Sequence, residues 1–255
     1  MNFIGQLHSL RQDTLKTKAV AYIQKKLVTG VLVWGDIVSE ELIAKEIGIS
    51  RTPVREAFQI FTHLGIFQRI PRYGTVVREP DPQEIHDLFE MRLALESYAI
   101  EKVTQSADGK LLQRLEALCL ELKTAGKTMR KDERETLTEE EVSRVLSADL
   151  NFHLEIIQAL GNSMMSNYLS DTNVLLRIFA SPRHKLFNMA YLAGVYGYHL
   201  KILRAIKRQD ADRAKALIIE HISLSRDGAV ELIKELLAEM RRDKLSHSEN
   251  RLLAG

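Results

Sequence analysis

Asp149 and His153 stand four residues apart, so on a helix their carboxylate and imidazole stack on one face. That face continues as Ile156, Ile157 and Leu160, an apolar stripe in which two polar groups are out of place. His199 shares a stripe with Ile202, Leu203 and Ile206, and His221 follows Leu217 and Ile218 and precedes Leu224. A buried polar group without a partner costs roughly 1–3 kcal/mol, so four of them need a reason. Spacing supplies one. The helix carrying His199 should stop near Gln209-Asp210, where Asp210 is suited to cap the next helix. His199 lies 10 residues before Gln209, and His221 lies 11 after Asp210. At ~1.5 Å per residue, both sit about 15–16 Å from the turn, level with each other across an antiparallel pair. With Asp149 and His153 on a neighbouring helix, three imidazoles and one carboxylate converge. That donor set suits a divalent ion: Zn²⁺, Ni²⁺, Mn²⁺ or Fe²⁺. Any one of these histidines alone reads as a hydrogen-bonded core residue; the four at matched heights favour a metal.

Arg92 is also out of place, sharing a stripe with Leu88, Leu95 and Ala99. Two readings stand: a snorkelling arginine paired with Glu96, or a planar fork that clamps a carboxylate. Asn173 and Arg177, again four apart, are weaker candidates for the same site as Arg92.

A third set lies near the N-terminus. Ser50-Arg51-Thr52-Pro53-Val54-Arg55-Glu56-Ala57 reads as a helix start with two arginines one turn apart. Ser50 can cap it, and Pro53 is tolerated in the first turn, where backbone N–H groups lack helical partners. Val54, Ala57, Phe58, Phe61 and Leu64 give it an apolar back, and Gly65 ends it. A helix with a packed back and arginines at its open N-terminus is what a major-groove reader needs.

The elements that position these groups can be read around them. Lys16–Thr29 is amphipathic through Ala19, Val20, Ile23 and Leu27. Ser39 can cap a short helix with Leu42, Ile43 and Ile47 inward and Gly48 as its stop, leaving only Gly48-Ile49 before Ser50: a helix-turn-helix joint. Phe67–Ile70 and Thr75–Val77 read as strands joined by Pro71-Arg72-Tyr73-Gly74, a hairpin with a basic tip. Residues 1–78 therefore form a winged helix-turn-helix. Residues 79–82, with Pro80 and Pro82, form a linker. Residues 83–240 carry helical periods at about 85–106, 109–124, 139–160, 163–179, 185–208 and 210–240. Between them lie a charged segment, Ala125–Glu141, read as a solvated loop or irregular helix, and a turn at Ala180-Ser181-Pro182-Arg183. The fold class is mainly α, with an antiparallel bundle of six or seven helices behind the winged head and a polar tail at 241–255.

Composition bounds the rest. Residues 1–78 hold 11 Lys and Arg against 6 Asp and Glu, a surplus of +5 that leaves −3 for the remainder of a chain whose total is +2. A basic half suits a polyanion, although a surplus of this size also serves ordinary solvation. The one cysteine, Cys119, falls in the stripe Leu112, Leu115, Leu122 and reads as packing; it rules out an intrachain disulfide and suits a reducing compartment. Met1–Arg11 has no cleavage signal, and no apolar run of about 18 residues occurs, so a cytoplasmic protein with no membrane partner is expected.

On the residues 48–57 quoted above, with Leu64-Gly65 and Arg72-Tyr73-Gly74, the chain resembles the GntR-type bacterial regulators. The resemblance implies double-stranded DNA as partner: Arg51 and Arg55 on bases or phosphates, Thr52 on phosphate, and Gly74 letting the wing enter the minor groove, with Ser50 and Arg72 flanking them. Departures are Leu64, where relatives often carry an acidic residue, and Glu41, where some carry a DNA-contacting arginine. Asp149-Leu-Asn-Phe-His153, Leu160-Gly161-Asn162, His199 before Ile202-Leu203-Arg204-Ala205-Ile206, and Asp210 leading into His221 resemble the FCD domain of the FadR subfamily. This implies metal on Asp149, His153, His199 and His221, and an arginine, here Arg92, facing a small organic acid. Tyr198 departs from the pattern, in which glutamate commonly precedes the histidine. A helix-turn-helix dimer meets a pseudo-palindromic operator, so a homodimer is expected.

These readings converge on a transcriptional regulator, not an enzyme, whose bundle binds metal and a carboxylate effector. A hydrolase-like metalloenzyme fused to a DNA-binding module and a pure metal sensor are the alternatives. No His-Glu-x-x-His or Gly-x-Ser-x-Gly motif accompanies the metal set.

Overall fold

The computed structural model describes residues 14–180 and 188–253. Helix α1 (Leu15–Val28) is capped by the Thr14 hydroxyl and buries Ala19, Val20, Ile23 and Leu27. Strand β1 (Ile37–Val38) leads into α2 (Glu40–Ile47), whose cap is the Ser39 hydroxyl accepting from Leu42 N at 3.3 Å. Gly48 ends α2 at φ 68°, a left-handed conformation that glycine adopts without a Cβ clash. Helix α3 (Arg51–His63) follows at once, and its buried Val54, Ala57, Phe58, Ile60 and Phe61 form the packed back.

Strands β2 (Phe67–Ile70) and β3 (Gly74–Val77) form the wing hairpin, with Phe67 opposite Val77 and Ile70 opposite Gly74. β1 pairs with the other edge of β3 to give an antiparallel sheet ordered β1-β3-β2. Sequence reasoning did not find this two-residue strand; it is too short to show alternation.

The bundle consists of α4 (Pro82–Thr104), α5 (Gly109–Lys131), α6 (Glu139–Ala159), α7 (Ser163–Ala180), α8 (Met189–Lys207) and α9 (Ala211–Leu253). Each start has a chemical cause. Asp81 accepts from Gln83 N with Pro82 in the first turn, Asp108 accepts from Leu111 N, and Asn188 accepts from Tyr191 N. Asp210 accepts from Arg213 N at 3.0 Å, as its place before α9 suggested. At α6, Thr138 and Glu141 form a full capping box. α9 packs along α4 and antiparallel to α8, while α6 lies against α5, α4 and α7.

Several expectations need correcting. Leu42 is 61% exposed because it falls on the outer face of α2, while Ile43 takes the core position. Ser50 is the N-cap residue of α3, but its hydroxyl makes no capping bond. Of the two readings of the charged segment 125–141, helix holds as far as Lys131 and again from Glu139, since Ala125, Lys127, Met129, Arg130 and Lys131 favour it. Pro82 belongs to α4, not to the linker. The tail after residue 240 continues α9 to Leu253. The turn at Ser181-Pro182-Arg183 lies outside the described residues.

One apolar core runs from the head into the bundle. Met240 on α9 sits beside Gly35 of the head: a Cβ added to that glycine would meet Met240 Cε at 4.0 Å. Arg78, between the two, donates from Nη2 to both Glu84 carboxylate oxygens at 2.9 and 2.7 Å and from Nε to the Gly65 carbonyl.

Candidate functional site

Asp149 and His153 point from α6, His199 from α8 and His221 from α9 to one place, with one ligand atom from each lying within 4.8 Å of the others. Asp149 Oδ1 is 3.1 Å from His199 Nε2, 3.8 Å from His221 Nε2 and 3.9 Å from His153 Nε2. All three imidazoles thus turn the same nitrogen to one carboxylate oxygen. The 3.1 Å approach lacks hydrogen-bond angles, and Asp149 Oδ1 and both His199 nitrogens are buried with no hydrogen-bond partner. Buried polar atoms left unpaired while aimed at a common point are what a divalent cation would satisfy.

Electrostatics agree. Burial pushes the His199 pKa down to about 3, so the ring is neutral and its lone pair available. Burial lowers His221 likewise. For Asp149 burial acts upward, but the imidazoles of His199 and His221 outweigh it and hold the carboxyl well below its usual range. Packing fixes the rings. His199 stacks on Phe152 at 4.0 Å, and His153 and His221 lie nearly parallel at 5.2 Å.

Glu96 was read from the sequence only as a partner for Arg92, and it does more. Its Oε1 accepts from Arg92 Nε at 2.8 Å and its Oε2 from His153 Nδ1 at 2.5 Å, all three residues being buried. Burial acts to raise the Glu96 pKa, but Arg92 and His153 hold it down at about 2. An ionised carboxylate only accepts, so His153 carries its proton on Nδ1 and leaves Nε2 free toward the centre. Arg92 is therefore buried rather than snorkelling, and the bond to Glu96 is the hydrogen bond it makes among the described residues.

A cavity of about 350 Å³ opens beside this cluster, with Arg92, Asp149, Tyr198 and His221 at its polar end. Tyr198 stacks over His221 at 5.3 Å and donates its hydroxyl to Glu220. Asn173 and Arg177 do not line the cavity. Asn173 Nδ2 donates to the Leu150 carbonyl and Arg177 to the Ser147 hydroxyl, so both brace α6 on either side of Asp149.

In the head, Arg51 and Arg55 are 56% and 60% exposed. Glu40 of α2 reaches both, at 3.8 Å and 3.3 Å, and holds them on one side of α3; as an acidic residue in a first turn it gave no sign of this. Ser50 and Thr52 are exposed beside them. Arg72 and Gly74 occupy the exposed wing tip with φ of 65° and 125°. Gly74 suits that backbone, and Arg72 tolerates it at a steric cost.

Residues 15–77 match the model of the bacterial regulatory proteins of the gntR family, and residues 87–224 match the FCD domain. The chain belongs to the GntR family. This GntR protein is a DNA-binding transcriptional regulator with an FCD domain. It is 27% identical over 224 residues to the gluconate operon transcriptional repressor of Bacillus subtilis, covering 85% of this chain and 84% of that one. It is 23% identical over 206 residues to the Nta operon transcriptional regulator of Aminobacter aminovorans, covering 81% and 90%. Among solved structures, E. coli McbR/YncC shares the fold with a TM-score of 0.71 at 18% identity, covering 87% of this chain and 99% of that one. Among the described residues no helix is long and apolar enough to cross a membrane.

Proposed function

We propose that this regulator binds a divalent metal through Asp149, His153, His199 and His221, and that metal and Arg92 together hold a small carboxylate that modulates operator binding. The observation that carries the reading is the shared wall: Asp149 and His221 face the same cavity as Arg92. A cation and a guanidinium at one end of a largely apolar cavity are complementary to a carboxylate. The Bacillus subtilis relative is named for a gluconate operon, and gluconate is a carboxylate. Zn²⁺, Ni²⁺, Mn²⁺ and Fe²⁺ all accept this donor set.

Helix α9 offers the route to the head. It contributes His221, then the cavity residues Leu224, Ser225 and Leu232, then Met240 against Gly35. A ligand that binds one position of α9 better than another shifts the head with it. Arg51 and Arg55 read the operator, Ser50 and Thr52 meet phosphate, and Arg72 and Gly74 deliver the wing. A homodimer presents two such heads to a pseudo-palindromic site.

Thermal unfolding with and without Mn²⁺ or Zn²⁺, each with and without acetate, tests the proposal. Metal should raise the melting temperature, and acetate should raise it further only when metal is present. Identical curves in all arms would return the four residues to the role of core polar groups.

A further inference from the structure

Beside its polar residues, the cavity is lined by Phe89, Leu146, Leu176, Val195 and Leu232, and two more of its lining residues are glycines inside helices, Gly194 on α8 and Gly228 on α9. Glycine in a helix interior is unfavourable relative to alanine, so its presence on a cavity wall needs a compensating use. Neither has a positive φ, so backbone geometry does not require it. A Cβ built on either would meet nothing within 4 Å, and both glycines are exposed, so they stand where the cavity opens to solvent. Five residues separate Gly194 from His199 and seven separate Gly228 from His221. At ~1.5 Å per residue, the glycines lie about 7.5 Å and about 10.5 Å along the helices from the two histidines, at the same end of the antiparallel pair. Tyr198, whose hydroxyl is taken by Glu220, turns its ring toward this space as well as over His221.

We infer that the effector is a monocarboxylate with an apolar body, an alkyl chain of several carbons or an aromatic ring, and that Gly194 and Gly228 set how much of that body the cavity admits. This rests on the carboxylate reading above and narrows it. A polyhydroxylated acid would place hydroxyls against Phe89, Leu146 and Leu232, which offer no hydrogen bonds, and each unpaired hydroxyl disfavours binding. Apolar carbons gain there, by about fourfold per buried methylene.

The test uses the full-length, metal-loaded chain and four probes: acetate, gluconate, benzoate and octanoate, with affinities from calorimetric titration. Benzoate and octanoate should bind more than roughly tenfold tighter than acetate and gluconate, since two buried methylenes already give that ratio. Gly194→Leu and Gly228→Leu should each weaken octanoate by about tenfold or more and leave acetate within about twofold, because they narrow the cavity's opening, where a longer body would lie, without replacing Arg92 or the four metal-facing residues. Should either leucine variant fail to fold, Gly194→Ala and Gly228→Ala, which favour helix and add a Cβ into open space, should give the same order with a smaller change. Gluconate binding tighter than octanoate, or glycine variants that leave octanoate unchanged, overturns the apolar-body inference while the carboxylate reading stands. Failure of all four probes, acetate included, overturns both.

Discussion

Replacing Glu96 by glutamine probes how the proposed metal centre is held. The carboxylate is 1% exposed and accepts two bonds from opposite sides, from Arg92 at 2.8 Å and from His153 at 2.5 Å. Its pKa of about 2 keeps it charged at neutral pH. Glutamine preserves the shape but offers one acceptor oxygen and turns an N–H₂ donor toward the other donor. Two costs follow. The buried Arg92 loses its counter-charge, which breaks a buried pair and costs about 3–5 kcal/mol of folding stability. His153 loses the anchor that fixes its tautomer, which lowers metal affinity by about 10–100-fold. Glu116→Gln is the control, because its pair with Lys207 is 47% and 45% exposed and such pairs contribute about 0–1 kcal/mol. Urea unfolding of chelator-treated protein reads the first cost, and competition against a chromophoric chelator reads the second. If Glu96→Gln matches Glu116→Gln in stability and stays within about threefold of wild type in metal affinity, the relay from Arg92 through Glu96 to His153 carries neither function.

Other perturbations give separate readouts. Arg51→Ala or Arg55→Ala should weaken operator binding by about 1–3 kcal/mol while leaving thermal unfolding of the bundle unchanged; an electrophoretic shift series against a selected operator measures this. His199→Ala and His221→Ala should each lower metal content by elemental analysis and remove the metal-dependent rise in melting temperature. Hydrogen bonds from Arg134 hold the Glu141 carboxyl at about 2, below its ordinary 4.5. Its contribution is therefore present above pH 4.5 and lost as pH falls toward 2, so Glu141→Gln should flatten the acid limb of a stability–pH curve and leave its neutral-to-alkaline shape alone.

The sequence disclosed what repeats locally. The 3.6-residue stripes located the long helices, and the spacing of His199 and His221 about Gln209-Asp210 placed them level because both helices are regular. The wing was legible from Arg72-Tyr73-Gly74 between two short β-runs. What was hidden depends on contacts between distant segments. Glu96 reaches His153 across 57 residues, and no local pattern marks its second oxygen. Glu40 reaches Arg55 across 15 residues from the preceding helix. Asn173 and Arg177 were placed near the cavity by their spacing, but a four-residue interval selects a helix face without saying what that face meets. Theirs meets the backbone carbonyl of Leu150 and the side chain of Ser147. Segment 125–131 was obscured because its charges resemble those of a loop, although on α5 they form a solvated helical face.

Operator affinity of the full-length chain, measured by fluorescence anisotropy on a DNA site selected from a random pool, addresses the central claim most directly. The measurement needs four arms: metal-free, Mn²⁺ alone, octanoate alone, and both. Coupling energies between sites are typically about 1–3 kcal/mol, so a shift of about 5–150-fold in affinity should appear with metal and octanoate together and vanish when a chelator removes the metal. The same affinity in all four arms, with calorimetry showing both ligands bound, would contradict the account: the bundle would then bind its ligands without instructing the head.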